Sequence, residues 1–173
     1  MLEALIFVVF PFCMVFAAVS DTLSMTIAHR VPLLLVAGFA VVAPLTGMEW
    51  AAYGWHFAAG AVVLAATFCL FALGGMGGGD AKLLAATTLW IGFRIELLQY
   101  MVYASLLGGA LTLLVLYFRG SPLSTFTANN LFLRHFANEK AGIPYGVALG
   151  ATGLLIYPST PLMQWALARV AAG

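Results

Sequence analysis

The chain has 173 residues, of which 64% are hydrophobic and only 8% are charged, and its formal net charge is +1. A soluble domain carries roughly a quarter charged residues, so this composition indicates a protein that lies almost wholly within a lipid bilayer. The nearly balanced charge gives no electrostatic footprint for nucleic acid. We expect residues 1–173 to form a single integral-membrane domain.

Six apolar segments follow one another along the chain, and a transmembrane helix needs about 20 such residues. They are residues 4–20, 31–48, 50–73, 83–93, 97–118 and 143–157. The fourth is the shortest, and residues 162–170 suit an interfacial helix. Glu3 stands where a secretory signal peptide has basic residues, so the first segment is expected to be retained. The prediction is an all-α membrane protein, a polytopic bundle of about six transmembrane helices.

Three polar connections, at residues 22–30, 74–82 and 119–141, fall on one face of the membrane if all six segments cross. They carry five of the seven basic residues, namely Arg30, Lys82, Arg119, Arg134 and Lys140. Cytoplasmic loops are enriched in Lys and Arg, so these connections are predicted to be cytoplasmic and both termini external. Apolar residues in the third connection favour a membrane-surface segment over a docking surface for an apolar peptide.

Asp21 and Asp80 are the only two aspartates in the chain. An ionisable group at or inside a bilayer is costly, so each is a candidate functional residue. Two whole spans separate them, which returns both to the same membrane boundary. Two carboxyl groups brought close together cannot both ionise easily, so the pair shares a proton and can act as acid and base in peptide hydrolysis. The sequence leaves open which aspartate is the base.

A glycine run precedes Asp80, and residues 74–82 read Gly-Gly-Met-Gly-Gly-Gly-Asp-Ala-Lys. Glycines lack a Cβ and let a second chain approach closely, as a peptide substrate must. The same spacing also suits helix packing. The density of the run favours the substrate interpretation, so Gly77, Gly78 and Gly79 are candidate substrate-binding or loop-geometry residues. Lys82 has two interpretations. It either interacts with the carboxyl group of Asp80 or binds an acidic group of the substrate, or it anchors the chain at the lipid headgroups.

The cysteines and histidines are interpreted structurally. Cys13 and Cys69 lie in apolar runs without the paired spacing of a thiolate zinc site, and they are expected to be small buried side chains. His29, His56 and His135 are expected at the surface or the membrane interface, so no metal site is predicted.

Gly142, Gly146 and Gly150 recur at every fourth residue near the start of the last span, which predicts a close contact between helices. Alanine is also small enough for many such contacts, so Gly150→Ala is expected to be mild. Arg94 and Glu96 are two residues apart, and residues at that spacing do not face each other on a helix.

Four stretches of the sequence together resemble one family. Residues 77–80, Gly-Gly-Gly-Asp, match the Gly-x-Gly-Asp pattern of membrane aspartyl peptidases. Residues 81–86, 20–27 and 143–148 resemble the type IV prepilin peptidases, in particular the short form that serves Flp/Tad pili. One departure lies at residues 27–30, Ile-Ala-His-Arg, where the family often carries Pro-Asn and a basic residue. It concerns the shape of the loop, because no carboxylate is replaced.

The resemblance implies that Asp21 and Asp80 are a catalytic pair that removes the short leader of a Flp/Tad-type prepilin precursor. It places the reaction at the cytoplasmic face of the bacterial inner membrane. It implies no cofactor and no N-methylation, since the chain lacks the cysteine pairs of the longer forms. The precursor, the lipid bilayer and proteins of a pilus or secretion assembly are the expected partners.

Two other functions remain open from the residues alone. A small proton-coupled transporter also uses intramembrane acids, but its marks are acids near the midplane and broken helices in matching halves. A non-catalytic membrane subunit of a pilus or secretion assembly would tolerate the loss of either aspartate. The position of both acids at one boundary favours the peptidase.

Overall fold

A computed structural model describes residues 1–121 and 142–172, and within those residues every regular element is helical. In chain order the elements are α1 (Leu2–Ser24), α2 (Arg30–Leu45), α3 (Trp50–Ala72), α4 (Gly78–Ile91), α5 (Ile95–Arg119), α6 (Tyr145–Ile156), a 3₁₀ turn (Tyr157–Ser159) and α7 (Pro161–Ala171). The predicted all-α bundle is therefore confirmed. Most of the predicted membrane-surface connection at residues 119–141, with His135, lies outside the described residues.

Three helices, α1, α3 and α5, are long and apolar enough to cross a membrane, with 23, 23 and 25 residues. Helix α2 is apolar but has 16 residues, and α4 and α6 have only 14 and 12. At about 1.5 Å per residue, α4 is roughly 21 Å long, while the hydrocarbon core is about 30 Å thick. The bundle is that of a membrane protein, and the crossing of all six segments stays a prediction.

Helix α4 forms the centre of the bundle, because every residue from 83 to 91 is buried. A helix that is apolar on all sides is stable only when other elements surround it, and α4 packs against α2, α3 and α6. The Trp90 indole N–H donates a 3.0 Å hydrogen bond to the Leu35 carbonyl, which ties α4 to α2. The hydroxyl groups of Thr87 and Thr88 donate to the carbonyls of Leu83 and Leu84, so they add no unpaired donor to the core.

Part of the predicted glycine ridge packs against α1, at Gly146 and Gly150, whereas a Cβ on Gly142 would meet nothing within 4 Å. A Cβ built on Gly150 would lie 2.7 Å from the Met14 carbonyl oxygen, and one on Gly153 would lie 2.7 Å from the Met14 sulfur. This geometry argues against the expectation that Gly150→Ala would be mild, because the atom in the way belongs to the backbone of α1. A backbone carbonyl cannot rotate aside as a side chain can.

His56 is buried at 7% exposure, so the expectation that it lies at the surface or the interface is wrong. Its Nδ1 lies 2.7 Å from the Leu89 carbonyl oxygen, and its ring stacks on Phe39 at a centroid distance of 5.2 Å. The last four carbonyls of a helix have no partner within that helix, and Leu89 is in the last turn of α4. His56 supplies this missing donor, which is why a polar ring is stable there. His29 is exposed, as expected.

Two smaller expectations also need correction. Arg94 Nε lies 3.4 Å from Glu96 Oε2, because Arg94 is the extended residue just before α5 and is not on the helix surface. Cys13 is buried as expected, whereas Cys69 is exposed on the apolar outer surface of α3. Apolar residues are abundant on that surface in a membrane protein, because lipid chains cover them.

Candidate active site

Asp21 lies in the last turn of α1 and is almost fully buried, at 5% exposure. The helix ends where Met25 adopts a left-handed backbone (φ 52°), and the Met25 N–H donates a 2.8 Å hydrogen bond to the Asp21 carbonyl. The Ser20 hydroxyl donates a 2.8 Å hydrogen bond to the Thr26 carbonyl, and the Ser24 hydroxyl donates a 2.7 Å hydrogen bond to the Ser20 carbonyl. These bonds hold the turn that follows Asp21 against the end of the helix.

The carboxyl group of Asp21 binds the start of α6. Its Oδ2 accepts a 2.6 Å hydrogen bond from the backbone N–H of Gly146, the second residue of that helix. The first N–H groups of a helix have no partner within it, and the N-terminus carries a partial positive charge that favours a carboxylate. A Cβ on Gly146 would lie 2.8 Å from Oδ2 and 2.9 Å from the Asp21 Cβ. Glycine therefore permits this contact.

Asp80 is placed by the start of α4. Gly77 is the residue that caps this helix, and Asp80 is in its first turn, where a carboxylate is also favoured. The Asp80 side chain folds back over this cap, as its Oδ2 lies only 2.7 Å from the position that a Cβ on Gly77 would take. Within residues 1–121 and 142–172, no hydrogen bond reaches the Asp80 carboxyl group. Its environment therefore differs from that of Asp21.

The structure brings the two aspartates together. Both line one cavity of about 790 Å³, which we call the aspartate cavity, and they are close enough for the charge of Asp21 to act on Asp80. They come from the C-terminal end of α1 and the N-terminal end of α4, so both lie at the same end of the bundle. Their catalytic role stays a prediction.

The candidate glycines serve different purposes. Gly77 lines the aspartate cavity, together with Gly74 and Gly75 of the same loop. Gly78 and Gly79 do not line it. A Cβ on Gly78 would lie 3.2 Å from the Phe71 ring, and one on Gly79 would lie 3.2 Å from Ile27 in the turn after Asp21. Gly79 thus lets the two aspartate-bearing segments approach each other.

Lys82 is exposed and does not line the cavity, so the structure does not place its side chain beside the two carboxyl groups. Gly146 is the site residue that sequence reasoning missed, since its spacing indicated only helix packing. The signal that could have found it is the proline at 144. That proline marks a helix start two residues before a glycine, and a helix start offers free N–H donors.

A helical membrane protein in which two aspartates line one cavity has the groups needed for acid–base chemistry by a carboxyl pair. The chain belongs to the type IV leader peptidase family, whose family model matches residues 8–114 and so includes both aspartates. Gly146 lies beyond the matched region. The protein is therefore a membrane peptidase. No curated protein and no solved structure matches the chain significantly.

Proposed function

We propose that the protein is an aspartyl prepilin peptidase, a single domain over residues 1–173, that removes the short leader of Flp/Tad-type pilin precursors without N-methylation. The observation that carries this proposal is the meeting of Asp21 and Asp80 in one cavity. Peptide hydrolysis by two carboxyl groups needs one ionised and one protonated member, close enough to act on the same water and carbonyl. The family supplies the peptidase activity, and the two aspartates supply the acid and the base.

We assign the base to Asp21. An N–H donor favours the ionised form of a carboxyl group, and Gly146 provides one at 2.6 Å. The carboxyl group of Asp80 is influenced by the charge of Asp21 and has no such donor among the described residues. Both carboxyl groups lie at a helix N-terminus, so the difference between them is the hydrogen bond from Gly146. A proton on Asp80 leaves the negative charge on the carboxyl group that accepts this bond. Asp80 is then the acid.

The reaction follows from this assignment. The Asp21 carboxylate takes a proton from a bound water as the water oxygen bonds to the carbonyl carbon of the scissile peptide. Asp80 donates its proton to the carbonyl oxygen, which gives a neutral tetrahedral diol. Asp21 then passes its proton to the peptide nitrogen, the C–N bond breaks, and a diol hydroxyl returns a proton to Asp80. The products are a carboxylic acid and an amine, and both aspartates regain their starting forms.

The charges at the two ends of the bundle support a cytoplasmic site in a bacterial inner membrane. Arg30, Lys82 and Arg119 lie at the aspartate end, since they follow the end of α1, the start of α4 and the end of α5. Arg94 follows the opposite end of α4, and Arg169 pairs with Glu3 at the start of α1. The excess of basic residues at the aspartate end is the bias that orients membrane proteins.

A cleavage assay tests the proposed function. The purified full-length protein in lipid nanodiscs is incubated with a precursor that has a short polar leader before an apolar helix. Asp21→Asn and Asp80→Asn should each lower the rate by at least about a hundredfold, because an amide is neither acid nor base. Glu49→Gln is the matched control, since Glu49 precedes α3 at the other end of the bundle and should be neutral. Wild-type cleavage by either aspartate variant would contradict the proposal, and a chelator should leave the rate unchanged.

A further inference from the structure

The aspartate cavity extends away from the two carboxyl groups as a groove between α3 and α5, which we call the α3–α5 groove. Helix α3 packs mainly against α4, and α5 packs mainly against α6. The two helices thus face each other across the groove without packing closely. Both helices are long and apolar enough to cross a membrane.

One face of each helix lines the groove. The lining positions recur at a spacing of three to four residues, which on a helix places them in one row. Examples are Val63, Ala66 and Leu70 of α3 and Met101, Ala104 and Gly108 of α5. The first and last residues of each row are seven positions apart, or about 10 Å at 1.5 Å per residue. The groove is therefore about two helical turns long.

The groove walls offer almost no polar group to an occupant. The Thr67 hydroxyl donates to the Val63 carbonyl of its own helix at 2.8 Å, and the Ser105 hydroxyl donates to the Met101 carbonyl at 2.8 Å. Two potential donors on the walls are thus already bonded. Apart from the aspartates at one end, the side-chain surface of the groove is suited to an apolar occupant.

The groove begins at the aspartates and continues along the helices. A Cβ on Gly108 would lie 3.1 Å from the ring of Tyr145, which is beside Gly146 and so marks the aspartate end. Met101 lies two turns earlier on α5, away from that end. An occupant of the groove would thus have one end at the aspartates and lie along α3 and α5.

We propose that the α3–α5 groove holds the first two turns of the apolar helix of the substrate, with the scissile bond at the aspartates. This assignment rests on the proposed function, because the occupant is the substrate of that reaction. The whole cavity, including the space around the aspartates, has about 790 Å³, which is the volume of a cylinder about 10 Å wide and about 10 Å long. It is therefore large enough for a short helical segment with the scissile bond at the aspartates. The polar leader lies on the other side of the aspartates, outside the groove.

A pair of neighbouring alanines tests the groove by kinetics. Ala66 lines the groove and Ala65 does not, although both are exposed on α3. Ala66→Trp should raise KM for the leader-bearing precursor about tenfold and leave kcat within about twofold, because it occupies the binding site without touching the aspartates. Ala65→Trp should match the wild type. Equal KM values for the two variants would overturn the groove assignment.

Photocrosslinking tests the same contact without requiring cleavage. A benzoylphenylalanine is placed at Ser105, which lines the groove, or at Leu106, its exposed neighbour that does not. The precursor should be labelled from Ser105 and not from Leu106. Precursor that is cleaved normally but labelled equally from both positions would overturn the groove and leave the proposed function intact. Labelling of the precursor from Ser105 without cleavage by the wild type would support the groove and contradict the proposed function. Labelling of lipid alone from Ser105 would also overturn the groove.

Discussion

The backbone N–H of Gly146 donates a 2.6 Å hydrogen bond to Oδ2 of Asp21, which joins the start of α6 to the end of α1. The two residues are 125 positions apart in the chain. A buried carboxylate is costly unless hydrogen bonds and opposite charge compensate it, and the N-terminus of a helix offers both. This bond is why we assign the base to Asp21.

Gly146→Ala should lower kcat about a hundredfold, because a displacement of about 1 Å in a reacting group has an effect of that size. The new methyl group would lie 2.8 Å from Asp21 Oδ2, so the carboxyl group must move. Gly109→Ala is the matched control, because a Cβ at position 109 would meet nothing within 4 Å. This variant should cleave at the wild-type rate. Steady-state cleavage of a leader-bearing precursor by both variants decides the matter. Normal kcat in Gly146→Ala would contradict the assigned contact.

An ester in place of the amide at position 146 removes the N–H donor and adds no atom that could clash. Incorporation of glycolic acid instead of Gly146 makes this change. We expect kcat to fall roughly tenfold to a hundredfold, the range for loss of one hydrogen bond to a charged group, with KM unchanged. If kcat keeps its wild-type value, the Gly146 donor does not set the protonation of Asp21, and the assignment of the base is wrong.

Gly77→Ala should lower kcat tenfold or more without lowering stability. A Cβ there would lie 2.7 Å from Asp80 Oδ2, the free end of a side chain, which can rotate away but then leaves its place in the cavity. Gly75→Ala in the same loop should be mild, because its Cβ would lie 3.5 Å from the nearest atom. Cleavage rates and thermal stability measured in parallel separate the two variants. Equal rates would show that the position of Asp80 does not depend on Gly77.

Gly150→Ala should destabilise the protein by about 1–3 kcal/mol, the usual range for overpacking. The added methyl group would lie 2.7 Å from the Met14 carbonyl oxygen and would push α6 away from α1. Gly54→Ala should cost nothing, since position 54 is open and alanine favours a helix. Thermal unfolding in detergent compares the two. An unfolding temperature for Gly150→Ala equal to that of the wild type would show that the seam between α1 and α6 can widen freely.

Reporter fusions test the orientation of the bundle. A reporter in the connection around Arg30, or in the one around Arg134, should be active in the cytoplasm, and both termini should be external. The reason is the excess of basic residues in the connections at the aspartate end. An external connection around Arg30 would reverse the proposed orientation. A cytoplasmic C-terminus with an external N-terminus would instead show that one of the shorter helices does not cross.

Local features of the sequence were enough to predict the membrane class, the helices and the position of both aspartates at one end of the bundle. Hydrophobicity is a property of each segment by itself, so the helices could be located without the fold. Helix α3 begins at the predicted residue, whereas α1 ends four residues later than predicted. Asp21 and Asp80 were predicted at one boundary because two spans lie between them. That inference needs only the direction of successive helices, and it required no knowledge of which helices are neighbours.

Only the tertiary structure decided which residues serve the site. The sequence pattern treated Gly146 and Gly150 alike, yet one contacts a carboxyl group and the other a backbone carbonyl. His56 could not be recognised as a buried donor, since its acceptor Leu89 belongs to another helix. The open seam between α3 and α5 was equally hidden. Residue spacing along a helix specifies which side chains share a face, but the partner of that face depends on how all the helices pack together.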